Sequence, residues 1–187
     1  MTEVTVRYFD RPGGSNTEET LGAAVERAQM LGIRQVVVAT SHGDTGLRAR
    51  ALFPPEVLVV GVTISAAFSE EGWVMTADER RRLTDAGVTV LTGMHALGDD
   101  VSEAMSGSGW SPSRVARETL YRFSQGMKVA IEVTLMAAEA GLLDMDSDVI
   151  AIAGTDSGAD TALVLKPAYA RAFDRLKVRE ILAMPRC

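Results

Sequence analysis

A single cysteine, Cys187, ends the 187-residue chain, and His42 and His95 are its only imidazoles. One thiol forms no internal disulfide, and with two histidines it makes no thiolate metal cage, so a disulfide scaffold and a zinc site are both disfavoured. Aromatic residues are scarce at 5%, which leaves the core to Val, Ile, Leu, Ala and Met. Nor is there a basic excess: 19 Lys and Arg stand against 25 Asp and Glu, a formal charge of −6. A chain of that sign has no general attraction for nucleic acid or an anionic membrane. The most apolar long segment, Val129 to Leu143, carries Glu132 and Glu139 and is too short to span a bilayer. The opening Met1-Thr2-Glu3-Val4 has neither the basic start nor the apolar stretch of a signal peptide. These absences lead us to expect a soluble cytoplasmic protein with no metal, nucleic-acid or membrane partner.

Three catalytic fingerprints are missing too. There is no G-x-x-x-x-G-K-[ST] nucleotide loop, no G-x-G-x-x-G after the first strand and no G-x-S-x-G nucleophile elbow. What is present is an ordinary globular balance, 47% hydrophobic and 24% charged, in a length that suits one domain over 1–187. Low-complexity tracts, repeats and Pro-rich linkers are not found.

Local signals divide the chain into alternating strands and helices. Thr2 to Phe9 reads as a strand and Asp10 to Ser15 as a loop. Asn16 with Glu19 resembles a capping box, and Leu21, Ala24, Val25, Ala28 and Leu31 share one helical face that Gly32 ends. Ile33 to Ala39 and Val57 to Ile64 are β-branched runs of buried strands, separated by the polar turn 40–46 and a short helix from Leu47 to Phe53. Ser65 to Met75 is a loop; Thr76 caps a helix to Ala86, and Val88 to Thr92 is a strand. The glycine-bearing stretch Gly93 to Ser111 is expected to be irregular. Pro112 opens a helix after Ser111, a second helix runs from Gln125 to Ala140, and three strands close the chain at 148–153, 161–165 and 178–184.

Alternating strands and helices predict an α/β fold: a three-layer α/β/α sandwich on a mostly parallel sheet, with an antiparallel edge from the closing strands. Ligands of such sheets bind beyond the carboxyl ends of the strands. Loops 10–17, 40–46 and 154–161 fall there, all rich in Gly, Ser, Thr and Asn. Such loops bring backbone N–H groups and hydroxyls to an anion at the starts of helices. They are therefore predicted to converge on a phosphorylated small molecule. The site residues are Asn16, Thr17, Thr40, Ser41, His42, Gly43, Thr45, Gly154, Thr155, Gly158, Asp160 and Thr161, with Asp160 facing a neutral part of the ligand or forming turn hydrogen bonds. No catalytic residue is assigned. His42 is an acid–base candidate in the best loop, or a simple loop donor. His95 reads as structural, Lys128 and Glu132 as a surface ion pair one helical turn apart, and Arg80 to Arg82 as a solvated helix face. The helix from Gln125 is apolar on more than one face, so it is buried in the protomer or against another copy; a homo-oligomer is expected.

Several segments resemble known ones. Ile33-Arg34-Gln35-Val36-Val37-Val38-Ala39-Thr40-Ser41-His42-Gly43-Asp44-Thr45 resembles the strand and phosphate loop of the pyruvate kinase C-terminal domain, and Val57 to Thr63 the strand after it. Asp148 to Thr161 resembles that domain's glycine-turn strand pair. The whole chain is similar to small stand-alone proteins of the pyruvate kinase α/β-domain-like group, through Asn16 to Thr20, Phe123 to Ala130 and the closing Arg179 to Arg186. The resemblance implies an α/β/α sandwich. It does not imply pyruvate kinase activity, since the barrel that carries that catalysis is absent from the sequence. Asp44 stands where the kinase loop has a basic residue, which disfavours a sugar bisphosphate and leaves a monophosphate. The stand-alone group implies FMN, with Thr40, Ser41, Gly43 and Thr45 at the phosphate and the 154–161 turn at the rest. A flavin-dependent oxidoreductase, or a regulatory or structural oligomer without a small ligand, are the alternatives.

Overall fold

In the computed structural model, which describes residues 3–186, the β-branched runs become strands. They are β1 (Arg7–Phe9), β2 (Gln35–Ala39), β3 (Leu58–Thr63), β4 (Thr89–Thr92), β5 (Val149–Ala153), β6 (Thr161–Lys166) and β7 (Lys177–Pro185). The helices are α1 (Thr17–Leu31), α2 (Asp44–Leu52), α3 (Ala77–Asp85), α4 (Val101–Ser106), α5 (Pro112–Leu120) and α6 (Gln125–Glu139). One sheet holds all seven strands in the order β1-β7-β6-β5-β2-β3-β4. The run β5-β2-β3-β4 is parallel, β6 is antiparallel to both β5 and β7, and β1 lies parallel to β7. The carboxyl ends of β1 to β5 therefore share one edge of the sheet, and β6 starts there at Thr161.

Side-chain alternation sends each strand to two cores. Val36, Val38, Ile150 and Ile152 pack with Leu21 and Ala24 of α1, Ala49 of α2 and Leu83 of α3. Val37, Val60, Ala151 and Leu163 pack on the opposite face with Ile131 and Leu135 of α6. Burial on both faces is why these strands read as unbroken apolar runs. The result is the three-layer sandwich expected, with α1 to α3 on one side and α5 and α6 on the other. No helix among the described residues is long and apolar enough to cross a membrane.

Local expectations held at several termini. Gly32 closes α1 in the left-handed region at φ 66°. Thr76 and Glu79 form a reciprocal capping box on α3, and Ser111 caps α5 ahead of Pro112. Others are corrected. The first strand is confined to Arg7–Phe9, the residues that pair with Ala183 to Pro185 of β7; Thr2 lies outside the described residues. Asn16 makes no capping bond: its Nδ2 donates back to the carbonyls of Arg11 and Gly13, which closes loop 10–17 on itself. Helix α2 begins at Asp44 rather than Leu47, since Gly43 at φ 101° turns the chain directly into it. The stretch after β4 is not wholly irregular. Asp100 accepts from Glu103 N at 2.7 Å and caps α4, a signal hidden among the glycines. Helix α6 is buried almost all round inside the protomer by β5 and β2, α5 and the segment around Leu97. Its apolar surface thus gives no support to an oligomer.

Candidate functional site

Three helix N-termini meet the carboxyl edge of the sheet: α1 after loop 10–17, α2 after loop 40–46 and α6 after Ser124. The turn 154–161 lies among them. Register places loop 40–46 beside it, since Val38 pairs with Ile152, two residues before each loop begins.

Loops 10–17 and 154–161 are joined by direct bonds. The Asp160 carboxylate is fully buried and accepts from Gly13 N at 2.8 Å, Thr155 N at 3.1 Å and Thr161 Oγ1 at 2.8 Å. Thr17 Oγ1 donates to Gly14 O and accepts from Ala159 N at 3.0 Å. Gly158, at φ 69°, is pressed so close that a Cβ there would fall 2.4 Å from Thr17 Oγ1. Ser124 Oγ, the α6 cap, lies 3.3 Å from Thr161 Oγ1. Two of the donors suited to an anion, Gly13 N and Thr155 N, thus already hold one, supplied by the chain itself. Thr17, Asp160 and Thr161 have their side chains turned into these internal contacts. Asn16 is spent on its own loop, while Gly154 and Gly158 remain at the partly exposed rim of the turn.

Loop 40–46 differs. Thr40 N donates to Val62 O, and Thr40 Oγ1, buried, accepts from Gly46 N at 3.2 Å. Between these closures the amides of residues 41–45 donate to no acceptor among the described residues. Successive unpartnered N–H groups ahead of a helix present partial positive charge. Ser41, His42 and Asp44 are exposed; Gly43 and Thr45 are buried, with Gly43 against Leu83 of α3. His42 Nδ1 sits 3.3 Å from Glu79 Oε1, so loop 40–46 is tied to the cap of α3. The Thr76 amide, with help from the Thr76 hydroxyl and His42, holds the Glu79 carboxyl below the usual glutamate range against the opposing effect of burial. The region therefore favours an anion at the amides, while Asp44 and Glu79 limit how much negative charge it takes.

Two groupings go further than their reading in the sequence. Lys128 and Glu132 are not a surface pair: they are 6% and 3% exposed, with Nζ 2.5 Å from Oε2. Glu132 Oε1 also accepts from Leu97 N at 2.9 Å, which pins the segment after β4 onto α6. The i, i+4 spacing was visible, but the covering segment was not. The second grouping is aromatic. Phe68 stacks on Trp73 with centroids 5.7 Å apart and on His95 at 5.6 Å, so His95 is held by stacking as well as by Asp99 at 2.8 Å. A cavity of about 400 Å³ lies beyond His95, between Leu91, Met94 and Met136; it contains none of the predicted site residues.

The family model described as "Pyruvate kinase, alpha/beta domain" matches residues 18–165. Among solved structures the chain is similar to pyruvate kinase from Cryptosporidium parvum. One structure is 15% identical with a TM-score of 0.39, covering 79% of this chain and 22% of that one. A second is 16% identical with a TM-score of 0.37, covering 76% and 21%, and an ADP complex is 15% identical with a TM-score of 0.38, covering 90% and 24%. The chain spans less than a quarter of the length of these kinases.

Proposed function

The chain belongs to the pyruvate kinase alpha/beta domain family, and on that footing we propose that it binds a phosphorylated small molecule, with FMN the leading ligand, at the carboxyl edge of its sheet. One observation carries this reading: the five successive amides of residues 41–45, unpartnered among the described residues, precede α2. Amide dipoles and a helix N-terminus favour a phosphate without burying a counter-charge. Residues 41–45 hold the phosphate through their N–H groups, with the Ser41 hydroxyl beside them. The turn at 154–161 forms the neighbouring wall, with its Thr155 amide already committed to Asp160.

Asp44 is exposed at the first position of α2, and a dianion beside it meets like charge. That matches one phosphate better than two. A bound flavin supplies reversible electron transfer at its ring; the protein's part is to hold and orient it.

Thermal unfolding of the purified chain with inorganic phosphate, ribose 5-phosphate and FMN tests the reading. A ligand that binds the folded form alone raises the midpoint with concentration, by about 2.7 kcal/mol of stability at a hundred times its Kd. FMN and phosphate should both stabilise, and phosphate should displace FMN. No shift with any of the three, even at millimolar concentration, refutes it.

A further inference from the structure

We propose that Trp73 is the platform for the ring of a phosphorylated planar heteroaromatic ligand, so that the loops after β3 and β4, not the 154–161 turn, make the ring half of the site. This rests on the phosphate reading of residues 41–45 and extends it from anchor to ligand class.

The chain has 5% aromatic residues, yet three rings from two loops are stacked in series: Trp73 on Phe68 at an interplanar angle of 18°, and Phe68 on His95 at 26°. The first loop follows β3 and the second follows β4, so the ladder stands on the same edge of the sheet as loop 40–46. His95 is fixed from behind by Asp99. The ladder ends at Trp73, which remains 50% exposed. An indole braced by a stacked neighbour is an ordered flat apolar surface, with little side-chain freedom left to lose when a second ring covers it.

Connectivity sets the separation from the phosphate amides. Three residues after Trp73, Thr76 donates through its N to Glu79 Oε2 at 2.7 Å, and Glu79 meets His42 in the middle of loop 40–46. Three residues of chain span at most about 11 Å, so Trp73 stays within a short linker's reach of the α3 cap that touches the anion loop. Charge assigns the two ends of the ligand. Glu70 and Glu71 are exposed just before Trp73, which repels phosphate but tolerates a neutral ring, whereas the free amides at 41–45 do the reverse. A ringless sugar phosphate engages only the amides; a phosphorylated flavin or mononucleotide engages both.

The test compares the parent with Trp73→Ala and Trp73→Phe, using FMN fluorescence titration and thermal unfolding in inorganic phosphate. Stacking on an indole quenches flavin emission, so FMN bound to the parent should be dim and FMN bound to Trp73→Ala should recover its brightness. Affinity for FMN should fall about ten-fold or more in Trp73→Ala, with Trp73→Phe between, as loss of one aromatic stacking partner predicts. The stabilisation by phosphate should be equal in all three proteins, which also shows that the variants fold. If phosphate stabilises all three and Trp73→Ala binds FMN within about two-fold of the parent, the ring platform is wrong and the phosphate site stands. If neither phosphate nor FMN affects the parent, both fall together.

Discussion

Replacing Asp160 separates a structural carboxylate from a ligand-binding one. Its side chain is wholly inaccessible and accepts three bonds: Gly13 N and Thr155 N share Oδ2, and the Thr161 hydroxyl takes Oδ1. Hydrogen bonds to a charged group are worth about 1.5–3 kcal/mol each, and an orphaned buried donor costs about 1–3. The three share one acceptor group and are not additive, and Gly13 and Thr155 are partly reachable by water. Asp160→Ala should therefore lower stability by about 3–5 kcal/mol, a large share of the ~5–15 kcal/mol available to a domain. Asp160→Asn should cost far less, about 1–2 kcal/mol. Its carbonyl oxygen can keep both backbone donors, while its NH2 donates to Thr161 Oγ1, a hydroxyl that accepts as readily as it donates. Urea unfolding followed by circular dichroism measures both, provided the slope is unchanged between variants. An Asp160→Ala protein within about 0.5 kcal/mol of the parent, with phosphate or FMN binding abolished, would refute the argument and return Asp160 to the ligand.

Asp44→Asn should raise affinity for phosphate about two- to five-fold, since it removes a like charge from the first turn of α2; calorimetric titration in low salt checks it, and an unchanged or weaker affinity contradicts the amide site. Glu132→Leu should destabilise by about 3–5 kcal/mol because it strands the Lys128 ammonium in the interior, and adding Lys128→Met should recover much of that loss in urea melts. Acidification should loosen the junction of α4 and α5. The Glu103 amide, then the Ser113 hydroxyl, hold the Asp100 carboxyl below its ordinary value. A depressed folded pKa stabilises above the ordinary Asp value of about 3.9 and loses that contribution as pH falls from there through the folded value. Trp110 emission, which reports the junction of α4 and α5, should shift below about pH 4, and Asp100→Asn should flatten the change.

Periodicity carried the local structure because it encodes burial on each face directly. Val36-Val37-Val38 feeds both cores, Leu21, Ala24 and Ala28 mark the inner face of α1, and Thr76 with Glu79 announces the start of α3. These are short-range patterns, readable wherever neighbours in sequence decide the conformation. Asn16 was misread because its side chain had a competing local partner, the Gly13 carbonyl, which composition does not rank against a cap. Asp100 was passed over because three glycines around it, Gly98, Gly107 and Gly109, drowned a sound capping signal.

From sequence alone came the alternation of strands and helices, the two-faced apolar strands and three polar loops at the strand ends. Tertiary structure decided how those loops are used. Asp160 and Gly13 are 147 positions apart, so only the folded sheet could reveal that the carboxylate ties turn 154–161 to loop 10–17. The same holds for Glu132 and Leu97, and for Phe68 and His95. Whether a polar group is free for a ligand depends on which distant donor or acceptor the fold brings to it, and residue type and spacing carry no record of that partner.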